Sequence, residues 1–283
     1  MSGPRASSRA FAACVSNPPN KALLGVISWD RGLEGLEPGQ IMGVIDHTLL
    51  KPYARVADVR ALVDEAVEMG CYSVCVNPVH VQYARAWVDE RGADLKVCAV
   101  VDFPFGSSTT EVRVESIRSI VALGADEVDV VAPMTYVKSG LISALEKDLR
   151  SVVSAAHSEG AIIKVIVEDA YTTRSEKEFL YRVVMESGAD FIKTSTGYED
   201  ASYASTLGNR TGADVNNVKL MAELSRKYNP AIGIKPAGGI RSVSQVLELL
   251  RASERPLDPR RFRIGTSSAR KIWEELRGGG ATS

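Results

Sequence analysis

Three lysines sit inside short apolar runs, in IIKVIV, FIKTS and GIKPAG, at Lys164, Lys193 and Lys235. A carboxylate, Asp129, lies in another such run, EVDVV, and a further one, Asp46, lies in VIDHTLL. One lysine at the exposed end of a strand is ordinary. Three in apolar surroundings are costly unless paired, neutralised or used. An amine attacks a carbonyl only when unprotonated, and a free lysine, with a pKa of about 10.4, is almost wholly protonated at neutral pH. Desolvation and a second cation nearby favour the neutral, nucleophilic form. A carboxylate beside such a pair can pass protons among water, imine and a substrate hydroxyl. The residue types therefore fit Schiff-base chemistry at carbon, with no metal or other cofactor required.

Such chemistry needs side chains held on adjacent strands, and the chain supplies them. β-branched runs near 44–50, 73–77, 96–103, 127–131, 161–168, 191–195, 231–236 and 261–266 predict eight strands. Helix-period segments fall between them, among them 56–69, 109–123, 141–158 and 175–187. Gly-Ala-Asp recurs at 92–94, 124–126 and 188–190, each time where a helical pattern gives way to a strand; Gly70 and Gly160 hold the same place without the full triplet. Glycine suits the left-handed position that ends a helix. A fourth Gly-Ala-Asp, at 212–214, precedes a helical pattern, so Asp214 is read as an N-cap.

Alternating strands and helices imply an α/β fold with a parallel sheet. Eight units in about 240 residues fit a closed (β/α)8 TIM barrel, a single domain over 41–283 with an N-terminal extension over 1–40. A doubly wound open sheet is the alternative, weakened because no GxGxxG follows the first strand. In a barrel the reactive groups gather at the C-terminal ends of the strands. Period-two alternation puts Asp46 with Thr48, Lys164 with Glu168, and Lys193 with Ser195, each pair on one face of its strand. Gly238 and Gly239 after strand seven, and Gly265-Thr266-Ser267-Ser268 after strand eight, suit a phosphate held by backbone N–H groups.

Composition narrows the classes further. The 283 residues carry 34 Lys and Arg against 35 Asp and Glu, a formal charge of −1, which provides no basic field for nucleic acid. No apolar run approaches the roughly 18 residues that span a bilayer. Neither nucleic acid nor a membrane is expected as a partner, and the cytoplasm is the expected location. The four cysteines, Cys14, Cys71, Cys75 and Cys98, are too few for a disulfide scaffold and read as buried thiols; Cys71 and Cys75 have no ligand-type neighbours in sequence. Residues 1–29 contain no acidic residue, which fits either an extension or an organellar transit peptide. Leu23, Leu24, Val26, Ile27 and Trp29 suit cover for a barrel end or a subunit contact.

The motifs IDHTLLKP (45–52), CVNP (75–78), GADEVDVV (124–131), KVIVE (164–168), FIKTSTG (191–197), KPAGGIR (235–241) and GTSS (265–268) closely resemble those of the deoxyribose-phosphate aldolases. The resemblance runs from about Val44 to Ala269. It implies a class I, metal-independent lyase on a TIM barrel that reversibly cleaves 2-deoxy-D-ribose 5-phosphate to D-glyceraldehyde 3-phosphate and acetaldehyde. By the same resemblance Lys193 is the Schiff-base lysine, Lys235 the lysine that perturbs it, and Asp129 the proton donor and acceptor. Lys164 and Asp46 are supporting residues. Gly197, Gly238, Gly239, Gly265, Ser267 and Ser268 are phosphate-binding. The partners implied are a sugar phosphate and aldehydes, with a homo-oligomeric assembly, dimer or tetramer.

Three features depart from the pattern. Tyr198 stands where some members place a lysine beside the phosphate, with Arg210 and Arg241 as candidate substitutes. The stretch 198–212 is long and reads as a mobile loop, and the tail LRGGGATS lacks a terminal tyrosine. A Schiff-base aldolase with another, non-phosphorylated acceptor therefore stays open, as does a non-catalytic sugar-phosphate-binding protein.

Overall fold

The computed structural model describes residues 36–278. The N-terminal extension up to residue 35, with Cys14 and the apolar group from Leu23 to Trp29, lies outside the described residues, as does the tail beyond Gly278.

Eight parallel strands alternate with helices. They are β1 (Ile45–Leu49), β2 (Ser73–Val76), β3 (Lys96–Val101), β4 (Glu127–Val131), β5 (Ile162–Ile166), β6 (Phe191–Lys193), β7 (Gly233–Lys235) and β8 (Ile264–Thr266). Each of β1 to β7 pairs with the next in sequence, and β8 pairs back onto β1. Parallel bridges Ile234–Phe262 and Ala237–Gly265 close the ring between β7 and β8. The result is the expected barrel rather than an open doubly wound sheet.

The outer layer comprises α1 (Pro38–Met42), α2 (Val56–Met69), α3 (Val81–Arg91), α4 (Thr110–Ala122), α5 (Met134–Lys138), α6 (Ile142–Ser158), α7 (Arg174–Glu186), α8 (Ala201–Thr206), α9 (Val215–Tyr228), α10 (Val243–Ser253) and α11 (Ala269–Gly278). The four helices predicted at 56–69, 109–123, 141–158 and 175–187 fall within a residue of α2, α4, α6 and α7 at each end. The large core lies between the strands and this layer, where side chains such as Val74, Val128, Ile163, Ile192 and Ile234 meet Leu62, Leu149, Leu180 and Met221. A smaller cluster of Leu50, Cys75, Cys98 and Val100, with Phe103 against it, is separate from it.

The Gly-Ala-Asp repeat has two physical causes. Gly92, Gly124 and Gly188 all adopt positive φ where a helix ends, as do Gly70 and Gly160. In the second and third triplets the aspartate also ties two neighbouring strands together, whereas Asp94 of the first accepts from Lys96 Nζ at 2.9 Å. Asp126 accepts the N–H of Val97 at 2.7 Å, at the start of β3, and Asp190 accepts that of Ile163 at 2.9 Å in β5. The fourth triplet differs as expected: Asp214 caps α9, accepting from the N–H groups of Asn216 and Asn217.

The stretch 198–212, expected as a loop, is in part helical. It contains α8, whose N-cap Asp200 accepts from the N–H of Ser202 and Tyr203. Asn209 fastens its far end, donating Nδ2 to the carbonyls of Ala170 at 3.0 Å and Thr172 at 2.9 Å. Side-chain bonds, which composition does not reveal, give this segment its form.

Asp126→Ala removes the acceptor of the Val97 N–H and the partner of Arg85. It should destabilise the barrel by about 1–3 kcal/mol in chemical denaturation. A change within a few tenths of a kcal/mol would remove the strand-tying role from the repeat.

Candidate functional site

The polar residues placed on β1, β4, β5, β6 and β7 converge inside the ring. Strand register sets two pairs side by side, Asp129 with Lys164 across β4–β5 and Lys193 with Lys235 across β6–β7. Asp129, fully buried, is the hub. Its Oδ2 accepts from Lys193 Nζ and from Lys235 Nζ, both at 2.7 Å, and its Oδ1 accepts from Lys164 Nζ at 3.0 Å. Since Lys193 and Lys235 bond one oxygen, their nitrogens are no farther apart than twice that bond length.

Around this hub the charges interlock. Lys164 also reaches Glu127 at 2.6 Å, and Lys235 also reaches Asp46 at 2.6 Å. Arg263, at the foot of β8, bridges Asp46 and Glu127, and its guanidinium stacks 3.5 Å from the ring centroid of Tyr72. Ser73 donates to Asp46 at 2.7 Å. Four cations, Lys164, Lys193, Lys235 and Arg263, thus face three carboxylates, Asp46, Glu127 and Asp129. Lys164, Lys235 and Arg263 each hold two carboxylates. Lys193 holds one, and at 4 % exposure it is the least enclosed of the four.

The electrostatics follow the geometry. Burial pushes Asp129 up, but Lys164, Lys193 and Lys235 together hold its carboxyl well below the usual range. Asp46 is likewise lowered, because Arg263 and Lys235 outweigh its burial. For Lys235 and Lys164 burial acts to lower the pKa, yet the carboxylates prevail and raise both. Lys235 is therefore a fixed cation beside Lys193.

Arg263 and Glu127 were not singled out from sequence. Their signal was present in the period-two spacing: Glu127 precedes Asp129 by two residues, and Arg263 precedes Gly265 by two. Cys98 is a third addition. Its thiol donates to Asp129 Oδ1 at 3.1 Å and accepts from Lys164 at 3.4 Å. Cys71, Cys75 and Cys98 are buried free thiols, as expected. Ligand-type neighbours that sequence proximity did not reveal do surround Cys75, since Cys98 and Asp129 approach it closely enough to share a cation. The set does not suit one. Asp129 already takes three ammonium groups, and burial pushes the Cys98 thiol up, away from the thiolate a metal requires.

The expected phosphate loops meet at the mouth. Gly197, Gly238 and Gly239 all have positive φ. A Cβ on Gly238 would stand 2.8 Å from the Cα of Gly212, so the segments after β6 and β7 touch through glycine. Gly265 packs under Ala237 and the Lys235 side chain. Ser267 is exposed, and Ser268 donates its N–H to Thr266 Oγ1 at 2.9 Å. Glu168 ends up beside Thr196, which donates both its N–H, at 3.2 Å, and its hydroxyl, at 2.5 Å. Burial, then the charge of Glu199, pushes the Glu168 carboxyl up to about 8.

The charge count makes the cluster's members unequal. Arg263→Met leaves Asp46 and Glu127 short of a partner and should cost about 3–5 kcal/mol in chemical denaturation. Lys193→Met removes the surplus charge and should cost less than about 1 kcal/mol. Equal losses would contradict the count.

Three comparisons bear on this site. The family model described as "DeoC/LacD family aldolase" matches residues 40–275. A Thermoplasma volcanium protein named deoxyribose-phosphate aldolase is 43 % identical over 84 % of this chain and 94 % of its own length. A second of that name, from Thermococcus gammatolerans, is 41 % identical over 82 % of this chain and 95 % of its own. Among solved structures, the tetrameric deoxyribose phosphate aldolase of Aeropyrum pernix superposes with a TM-score of 0.70 at 31 % identity, covering 85 % of this chain and 92 % of that one. Matched over nearly the whole barrel, with the lysine cluster at its centre, the chain belongs to the DeoC/LacD family of aldolases.

Proposed function

We propose that the protein is a class I deoxyribose-phosphate aldolase, a lyase that reversibly cleaves 2-deoxy-D-ribose 5-phosphate to D-glyceraldehyde 3-phosphate and acetaldehyde. The observation that carries this is the convergence of Lys193 and Lys235 on one oxygen of Asp129, all three buried inside the ring.

With one more cation than carboxylate, the cluster is relieved when one ammonium releases a proton. Lys193 is the one of the four cations held by a single carboxylate, and the role of nucleophile falls to it. Its free amine attacks the aldehyde carbon of the open-chain sugar. Asp129, bonded to both lysines, passes the proton that Lys193 released to the departing hydroxyl, so that water leaves while Lys235 keeps its charge. The resulting iminium draws electrons from the bond between its α and β carbons. As that bond breaks, the hydroxyl on the β carbon gives its proton to Asp129 and the phosphorylated aldehyde departs. The enamine left on Lys193 takes that proton at its carbon, and water then hydrolyses the imine to acetaldehyde. Lys164 and Asp46 fix the hub and Lys235 in place. Gly197, Gly238, Gly239, Gly265, Ser267 and Ser268 receive the phosphate. No metal takes part.

The same reading makes residues 1–40 an extension to the barrel of 41–283, and the assembly a cytoplasmic homo-oligomer. Among the described residues no helix is long and apolar enough to cross a membrane.

Lys193→Ala should lower turnover of 2-deoxyribose 5-phosphate at least about 10³-fold in a coupled assay for the released aldehyde. EDTA should leave the wild-type rate unchanged. Undiminished turnover in the variant, or loss of activity with chelator, would overturn the mechanism.

A further inference from the structure

The phosphate cradle is not neutral ground. Glu199 follows Tyr198, the residue that stands where related chains place a lysine, and its side chain turns back into the cradle. Its Oε1 accepts the backbone N–H of Gly197 at 3.3 Å and that of Gly212 at 3.2 Å. The same oxygen lies 3.7 Å from where a Cβ on Gly238 would stand. Three chain segments, after β6, before α9 and after β7, thus surround one carboxylate oxygen. Backbone N–H groups of glycines with positive φ are what a phosphate oxygen would take.

A second observation marks this place as a ligand site. The hydroxyl of Ser195 is fully buried and has no hydrogen-bond partner among the described residues. Its Cβ lies 3.6 Å from the Cβ position of Gly238, at the cradle's wall. Asp200 caps α8, and its own N–H donates to Tyr171 Oη at 2.7 Å, anchoring the backbone immediately after Glu199. Arg210 and Arg241, the candidate substitutes for the missing lysine, are exposed.

We propose that Glu199 is a specificity-determining residue, an internal anion that occupies the phosphate cradle and must be displaced by the phosphate of the substrate. The proposal rests on the reading of the cradle as the phosphate site of an aldolase. A carboxylate there satisfies the N–H groups when no phosphate is present and opposes the dianion that replaces it. The advantage of a phosphorylated over a non-phosphorylated sugar is therefore smaller in this protein than the cradle alone would give.

The test compares the full-length wild type with Glu199→Gln, which keeps an acceptor oxygen and removes the charge. The kcat/KM for 2-deoxyribose 5-phosphate and for 2-deoxyribose is measured with both, together with inhibition by inorganic phosphate. The preference for the phosphorylated sugar should rise about tenfold in Glu199→Gln, mainly through KM, and inorganic phosphate should inhibit at about tenfold lower concentration. An unchanged or reduced preference, with unchanged inhibition, would overturn the proposal. If the wild type cleaves neither sugar, the aldolase reading fails instead. Calorimetric titration of both proteins with inorganic phosphate then decides the role of Glu199 by itself, since tighter binding by the variant is expected and equal binding refutes it.

Discussion

A single carboxylate that accepts three ammonium groups in a dry interior constrains almost everything else about this protein. Asp129 could not remain ionised among apolar strands without Lys164, Lys193 and Lys235, nor could they remain there without it. Each lysine must lie on a different strand, at a height that lets its amine reach the same few ångströms. The β4–β5 and β6–β7 registers meet that requirement. Burial inside the closed ring strengthens the mutual attraction and makes any mismatch in charge consequential.

The mismatch is where chemistry enters. A fully balanced cluster would be an inert structural salt bridge. Here Lys164, Lys235 and Arg263 are each shared between two carboxylates, whereas Lys193 has only one. The support for Lys193 as the nucleophile is thus positional: it is the least enclosed of the four cations and the one held by a single carboxylate. Lys235, with its pKa raised by Asp129 and Asp46 despite burial, serves as a charge that stays in place.

Much of the architecture could be read from the order of residues. Apolar runs of strand length, glycines at helix ends and the alternation of the two periods led to eight strands and the barrel, and the motif resemblance agreed with the family match. The lysines stood out because ammonium groups are rare among β-branched residues. Arg263 and Glu127 are less legible, since a charged residue near a strand end is ordinary in sequence. Only the closure of β8 onto β1 brings Arg263 to Asp46, 217 residues away in sequence. The helix within 198–212 is not legible, because Gly, Asn and Ser content says nothing about which carbonyls Asn209 will find. Glu199 belongs to the same class: its place in the cradle depends on three segments meeting in space.

The central claim is that, of three buried lysines, Lys193 alone forms the imine. Incubation with 2-deoxyribose 5-phosphate and borohydride, followed by peptide mapping of the reduced adduct, tests it directly. The account predicts one adduct per chain, carrying the two acetaldehyde carbons on Lys193. An adduct on Lys235 or Lys164, or none while substrate is being turned over, would contradict it.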